Sequence, residues 1–372
     1  MNFTQFDLIL LAALAVCLLL QLYYTLFVHS RLLRHTSNES APAIHPLSVI
    51  ICARNEALNL EKFLPAVLAQ DFPEFEVIVV NDRSWDGTAD LLERMAASEQ
   101  RLRIVTVSEN DKFRAGKKFA VTMGIKAAKY DWLVFTDADC IPTSDQWLRH
   151  MQVPASPQTE IVLGYSPYIR KRGLLNALVR FETFFTAVNY LSFALKGMPY
   201  MAVGRNMAYK KSLFFKNKGF AAHMHIPSGD DDLFVNANAT SSNTEIRIAA
   251  DAHVWSEPKT TWLTYLRQKK RHVGAGKFYK KKHQFILTTQ IVSQFLFYVL
   301  LGAGLCFQDT RYPALSIGLF SVVVRSLVYP RLLSRLNCRG LRWWFPLLDP
   351  ILFLFLTFNG LIAIFIKKVQ WK

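Results

Sequence analysis

"WLVFTDADCIP" (Trp132–Pro142) decides the fold: an apolar, strand-forming run ends in two carboxylates one residue apart, Asp137 and Asp139. Desolvating an unpaired carboxylate is expensive, so a core strand that ends this way implies a positive partner at its tip. A hard divalent cation meets that demand. It takes oxygen ligands, few of them from protein, and fills its shell with water and substrate phosphates. Helix capping is the alternative, but "CIP" runs into a proline and the next helix is expected from Ser144. Ser144, and neither aspartate, would then be the cap.

Outward from this strand the pattern repeats. "LSVIICA" (47–53), "FEVIVVND" (75–82) and "RLRIVTVSE" (101–109) are short apolar runs. "NLEKFLPAVLAQ" (59–70), "TADLLERMAAS" (88–98) and "KKFAVTMGIKAAK" (117–129) have helical spacing. Continuous apolar strands alternating with amphipathic helices predict an α/β domain with a mostly parallel sheet covered on both faces. Ligands of such sheets bind beyond the carboxyl ends of the strands. Glu56, Asp82 and Asp139 are therefore expected on one edge. No G-x-G-x-x-G follows the first strand, which excludes a dinucleotide-binding Rossmann site. Asp86, before "GTAD", is equally a helix cap or a ligand.

The ends of the chain are different. "LILLAALAVCLLLQLYYTLFV" (8–28) is long enough to cross ~30 Å of hydrocarbon. It lacks a preceding basic residue and a small-residue cleavage site, so a retained anchor is favoured over a signal peptide. Residues 285–307 and 345–366 have the same character, and 314–329 is a shorter apolar stretch carrying Arg325. Two or three C-terminal spans follow. The formal charge is +16, and its basic residues flank these stretches at Arg31 and Arg34, at 267–282 and at 331–342. That placement points to a membrane surface and excludes a nucleic-acid platform. With four spans the long middle segment lies in the cytoplasm, while Lys367, Lys368 and Lys372 fall outside. The five cysteines are scattered without metal or disulfide spacing, which suits a reducing compartment. The expected division is an anchor over 1–30, a catalytic domain over 46–258, an interfacial basic helix over 259–283 and a membrane region over 284–372. "GLLNALVRFETFFTAVNYLSFALKG" (173–197) reads as an amphipathic acceptor-side helix. Asp349, between Pro346 and Pro350, reads as a functional intramembrane group or a turn leading into the last span.

Taken in order, five pieces between Leu47 and Gly276 resemble glycosyltransferase family 2, inverting nucleotide-sugar enzymes of the GT-A fold. "ARNE" resembles the first nucleotide-contacting turn, with Ala53 and Glu56 at the base or ribose. "VVNDRSWDGT" resembles the second, with Asp82 at the base edge. "GKKFAVTMG" resembles K-x-x-A-L-N-x-G and implies Lys117 near the diphosphate, with Thr122 where the pattern has Asn. "TDAD" resembles the D-x-D motif, with Asp139 and Asp137 holding Mg2+ or Mn2+ and Asp137 also toward the ribose. "VGRNMAYKK" (203–211) resembles the loop that closes on the donor sugar, through Asn206.

"PSGDDDLFVN" (227–236) resembles T-E-D-x-[DE]-L and implies Asp230 as general base, with Asp231 as the alternative and Asp232 on the acceptor side; Gly229 replaces the usual Glu. Adjacent carboxylates raise one another's pKa, one route to a poised base. "QKKRH" (268–272) resembles Q-x-x-R-W, with Gln268 and Arg271 toward the diphosphate and His272 where a Trp commonly meets the acceptor. The resemblance implies transfer of a sugar, from a UDP-linked donor, to a lipid or lipid-linked glycan. Two alternatives remain open on the sequence: a processive polysaccharide synthase, and a non-catalytic binder of nucleotide sugars or glycolipids.

Overall fold

A computed structural model describes residues 3–36, 45–108, 116–152, 154, 156–226, 228–273 and 275–365, apart from the side chains of 270–273 and 359–365. The apolar runs form strands β1 (Leu47–Ala53), β2 (Phe75–Asp82), β3 (Leu102–Val107) and β4 (Trp132–Asp137). These pair in parallel in the order β3-β2-β1-β4. Alternate residues point to opposite faces, so each strand feeds two cores. Val49, Ile51, Val77, Val79 and Val134 enter one, and Ile50, Ile78, Val80, Leu133 and Phe135 the other.

Beyond β4 the sheet continues through β7 (Met207–Lys210), β6 (Ile161–Gly164) and β8 (Thr244–Arg247). β7 is antiparallel to both its neighbours, and β8 runs parallel to β6. A separate ribbon pairs β5 (Cys140–Pro142) with β9 (Val254–Ser256). It ties the segment after Asp139 to Glu257, whose N–H donates to the Asp139 carbonyl at 3.3 Å.

In chain order the helices are α1 (Gln5–Tyr23), continued by a π-helical stretch over Tyr24–His29; α2 (Arg31–Arg34); α3 (Ala57–Leu68); α4 (Thr88–Ser98); α5 (Lys117–Ala127); and α6 (Trp147–Met151). α3, α4 and α6 cover one face of the sheet with Leu64, Leu92 and Trp147. α5 covers the other and lies close to it at Gly124, where a Cβ would sit 2.8 Å from Ile50. α6 starts three residues later than expected, because Ser144 Oγ accepts from the Gln146 N–H at 3.1 Å and closes a turn there instead of capping.

α7 (Leu174–Leu195) corrects an expectation. It is no amphipathic surface helix: Phe181, Phe184, Phe185, Val188 and Leu191 are buried, and so are Arg180, Glu182 and Asn189. Its aromatics extend the second core from the sheet to Tyr24, Val28 and Leu32 on one side and to Tyr329, Leu332, Phe345 and Phe353 on the other. The remaining helices are α8 (Lys211–Lys216), α9 (Asp232–Asn238), α10 (Trp262–Val273), α11 (Lys281–Cys306), α12 (Arg311–Arg335) and α13 (Phe345–Phe365). Among the described residues four helices are long and apolar enough to cross a membrane, one N-terminal and three C-terminal.

Asp349 is no turn. It lies inside α13, buried, with its carboxylate 2.5 Å from the Arg325 guanidinium of α12 and accepting the Tyr298 hydroxyl of α11. Arg325 also donates to Gln294 Oε1 at 2.7 Å. Buried charges in apolar helix bundles are tolerated when paired in this way.

Candidate active site

The parallel order reverses between β1 and β4, and a crevice opens beyond their carboxyl ends. There Asp137 stands opposite Cys52, one residue before Ala53. Ala53 is itself buried.

Two interlocked turns form one flank. The Asn55 N–H donates to Ser84 Oγ at 2.9 Å, and Asn55 Oδ1 accepts from the Trp85 N–H at 3.0 Å. Asp86 accepts from the N–H of Thr88 at 3.0 Å and from that of Ala57 at 3.3 Å. Burial pushes the Asp86 carboxyl up, but these donors and the Thr88 hydroxyl outweigh it and hold it below its usual range. Asp86 thus staples the two turns together. Glu56 accepts from Asn59 Nδ2 at 2.5 Å. Asp82 has no exposed surface, and its carboxylate is gripped by Arg83, Nε to Oδ1 at 2.8 Å.

The centre of the site is Lys117 at the start of α5. Its ammonium lies 2.8 Å from Asp137 Oδ1 and 3.4 Å from Asp230 Oδ2. Burial pulls its pKa down, but Asp137, Asp230 and Asp231 together more than reverse this and hold it charged. Its neighbour Lys118 turns the other way and is buried. It donates to the carbonyls of His223 at 2.6 Å and Ile226 at 3.0 Å, pinning the segment that leads to the acidic turn. Thr122 donates back to the Lys118 carbonyl at 2.7 Å, which accounts for its hydroxyl within the helix.

The acidic turn is opened by Gly229 at φ +93°, where a Cβ would meet the Leu233 side chain at 2.5 Å. That conformation excludes the Glu expected from the pattern. Of the three aspartates, Asp231 caps α9. It accepts from the Asp232 N–H and the Gly204 N–H, both at 2.7 Å. Asp232 accepts the Tyr279 hydroxyl at 2.9 Å. Burial first, and Asp231 second, push the Asp232 carboxyl up to about 8. Asp230, 9% exposed, faces Lys117.

Asp137, Asp139 and Cys140 bring one ligand atom each within 4.8 Å of one another. Burial, then Asp137, raise the Asp139 carboxyl. The Cys140 thiol is pushed well above its ordinary range by burial, so it stays a thiol and leaves the two carboxylates as hard ligands.

Arg205 faces this pair, whereas the resemblance points to its neighbour Asn206. Arg205 stacks on Tyr168 at 4.6 Å and donates to Ser166 Oγ at 2.8 Å. Asn206 has no exposed surface. Its amide donates to the carbonyls of Tyr165 at 2.7 Å and Ala252 at 2.9 Å and accepts from the Trp147 indole at 3.0 Å. It therefore shapes the loop from inside and does not reach the crevice. The sequence carries no signal that separates the two, because burial of the Asn206 amide follows from packing.

α10 borders the site. Gln268 Nε2 donates to the Tyr168 hydroxyl at 3.1 Å, the same hydroxyl that Arg205 approaches at 3.2 Å. Buried Glu182 of α7 anchors the helix, accepting the Tyr265 hydroxyl and lying 2.6 Å from the Lys269 ammonium. Arg271 and His272 lie in this helix, but their side chains are outside the described residues.

Residues 48–217 match the family described as glycosyl transferase family 2. A poly-β-1,6-N-acetyl-D-glucosamine synthase of Staphylococcus aureus is 27% identical over 183 residues, 45% of this chain and 43% of its own length. The glycosyltransferase AglE of Haloferax volcanii is 36% identical over 105 residues, 28% of this chain and 33% of its own. The chain thus spans less than half the length of these relatives. A mannosyltransferase of Pyrobaculum calidifontis, solved with GDP-Man and Mn2+, superposes with a TM-score of 0.60 at 18% identity, over 91% of this chain and 99% of that one. The crevice and the strand order agree with the family match: residues 48–217 are similar to glycosyl transferase family 2, in a GT-A fold set against four apolar helices.

Proposed function

We propose that this chain is a membrane-bound inverting glycosyltransferase that moves a sugar from a nucleoside-diphosphate sugar, UDP-linked in the simplest case, to a lipid or lipid-linked glycan. The observation that carries this is Lys117 between Asp137 and Asp230. It brings the tip of the D-x-D strand and the acidic turn, almost a hundred residues apart, to two sides of one crevice. That is the separation of tasks the reaction needs. One side holds the donor's diphosphate, and the other removes a proton from the acceptor.

In the step itself an acceptor hydroxyl attacks the anomeric carbon, Asp230 takes its proton, and the bond from that carbon to the diphosphate oxygen breaks with inversion. Asp230 is favoured over Asp231 because both oxygens of Asp231 already accept backbone N–H groups. Asp232 sits on the acceptor side, bonded to Tyr279. Lys117 and Arg205 supply positive charge where the diphosphate departs, Gln268 approaches from α10, and Arg271 of the same helix is assigned beside it from the resemblance alone. Glu56 stands at the nucleoside end, with Ala53 and Asp82 buried behind it. Asp139 and Asp137 fit Mg2+ or Mn2+, which would neutralise charge on the diphosphate; the P. calidifontis mannosyltransferase, solved with Mn2+, supports that choice.

The basic groups at Arg31, Arg34, 267–282 and 331–342 favour a catalytic domain, over 46–258, on the cytoplasmic side of a cytoplasmic membrane. A processive synthase is the second reading, favoured by the S. aureus relative.

The test is turnover by purified full-length protein with UDP- and GDP-sugars and a membrane lipid extract, with and without Mn2+, beside Asp230→Asn. Metal-dependent release of one nucleoside diphosphate with a small glycolipid, lost in the variant, is expected. A long polymer selects the synthase. Donor binding without any turnover overturns both.

A further inference from the structure

Tyr168 lies outside every motif that carries the resemblance, yet the fold brings it to the edge of the site. It follows β6, where the chain runs beside β9. There the Ser256 N–H donates to the Pro167 carbonyl, and the Ile169 N–H donates to the Ser256 carbonyl, both at 3.0 Å. Tyr168 is thereby bridged to Ser256, which pairs on its other edge with Cys140. Residues directly opposite one another on neighbouring strands send their side chains to one face. The row Cys140, Ser256, Tyr168 therefore turns the phenol to the side of Cys140, the residue that follows Asp139. Tyr168 is 5% exposed, and its ring clusters with Val179 of α7 and Tyr265 of α10.

The hydroxyl accepts twice. Arg205 Nη1 donates to it at 3.2 Å and Gln268 Nε2 at 3.1 Å. A guanidinium has only donors, and the Gln268 amide faces the phenol with its nitrogen, so the Tyr168 oxygen serves both as acceptor. Its own O–H still has to donate. The two contacts are its hydrogen bonds among the described residues, and neither takes that proton. Leaving a buried donor unpaired is unfavourable, and accepting from a cation polarises the O–H and strengthens it as a donor.

The surroundings select the kind of acceptor. Arg205 stacks over the Tyr168 ring at 4.6 Å and holds Ser166 with its other arms, Nε to Oγ at 2.8 Å and Nη2 to the carbonyl at 3.0 Å. Its charge faces Asp137 and Asp139, and that of Lys259 also reaches Asp139. A hydroxyl set among cations fits an anionic oxygen better than a neutral sugar hydroxyl, and charge-assisted bonds of that kind are the strong ones.

We infer that the Tyr168 hydroxyl donates to an oxygen of the donor's diphosphate, in a bond that strengthens as the sugar leaves. This rests on the nucleoside-diphosphate-sugar reading above and adds a residue to it. In the transfer the bond from the anomeric carbon to the diphosphate oxygen breaks, and its electron pair stays on the diphosphate. The proton of the acceptor hydroxyl goes to Asp230. Tyr168 keeps its own proton and stabilises the charge that appears.

The test compares full-length wild type with Tyr168→Phe, which keeps the ring under Arg205 and removes only the hydroxyl. Calorimetry with Mn2+ present measures binding of UDP, GDP and the corresponding monophosphates, and turnover follows. Binding of the preferred diphosphate should be about tenfold weaker in the variant, with its monophosphate unaffected. In turnover kcat should fall by at least the same factor with the donor KM nearly unchanged. Equal losses for diphosphate and monophosphate mean that Tyr168 only shapes the pocket, and they overturn the inference. Unchanged diphosphate binding overturns it too, because the proton is then held within the protein. Wild type that binds a diphosphate but transfers no sugar defeats the transfer reading, while the binding comparison still decides the Tyr168 contact. Wild type that transfers sugar, matched by the variant in both measurements, defeats the contact alone.

Discussion

At the scale of single residues the site is organised by which carboxylates are left for chemistry. Asp231 is committed to the helix cap and Asp232 to Tyr279, and Lys117 holds Asp230 at the crevice. Asp230→Asn keeps the shape and removes the proposed proton acceptor, so kcat should fall about 10³-fold with donor affinity nearly unchanged; steady-state kinetics beside calorimetric donor binding check this. Asp232 gives a stability prediction. Its carboxyl is near 8 folded and near 4 unfolded, so the folded protein binds more protons between these values. The stabilisation it brings is full below about 4 and disappears as pH rises through about 8. Asp232→Asn, which mimics the protonated form, should therefore raise the thermal midpoint at pH 9 and leave it almost unchanged at pH 5. A midpoint gain of equal size at both pH values would remove burial of this carboxyl as the cause. The resemblance of the acidic turn implies Asp230, but nothing in the sequence implies that Asn206 points inward while Arg205 faces Asp137 and Asp139. Adjacent residues in a loop differ by side-chain direction, which only packing sets.

At the scale of elements, local pattern went far. The parallel strands could be read because strands buried on both faces are apolar throughout. Their amphipathic helices could be read from the 3.6-residue period. α5 shows how tightly these layers are fitted. Gly124→Val would drive a side chain into Ile50 and Val80, with an expected loss of about 1–3 kcal/mol in chemical denaturation if the layers separate to admit it. α7 departs from its pattern for a physical reason. Its Arg180, Glu182 and Asn189 look like a polar face, yet each finds burial in a protein that surrounds the helix. Glu182 is the clearest case, because it is the anchor of α10. Glu182→Gln leaves Lys269 without its counter-charge, and backbone amides of 262–273 should exchange with solvent at least tenfold faster. Unchanged exchange there would show that α10 is held by other contacts.

At the scale of the whole molecule, the catalytic sheet and the apolar helices share one continuous core through α7, and the helices are joined to one another by buried polar contacts. Arg325 and Asp349 are the strongest of these. Arg325→Met strands a buried carboxylate and should cost about 3–5 kcal/mol, whereas Arg325→Met with Asp349→Leu should recover most of that loss; unfolding in detergent measures both. The amino-acid sequence by itself determined the α/β class, the apolar helices, the D-x-D tip and the acidic turn, because periodicity, length and residue type are local properties. Only the tertiary structure decided that α7 is interior, that Asp349 answers Arg325, and that Asp231 is a cap and Asp230 is not. Each of these depends on which groups distant in sequence meet in space, and on which of them water can still reach.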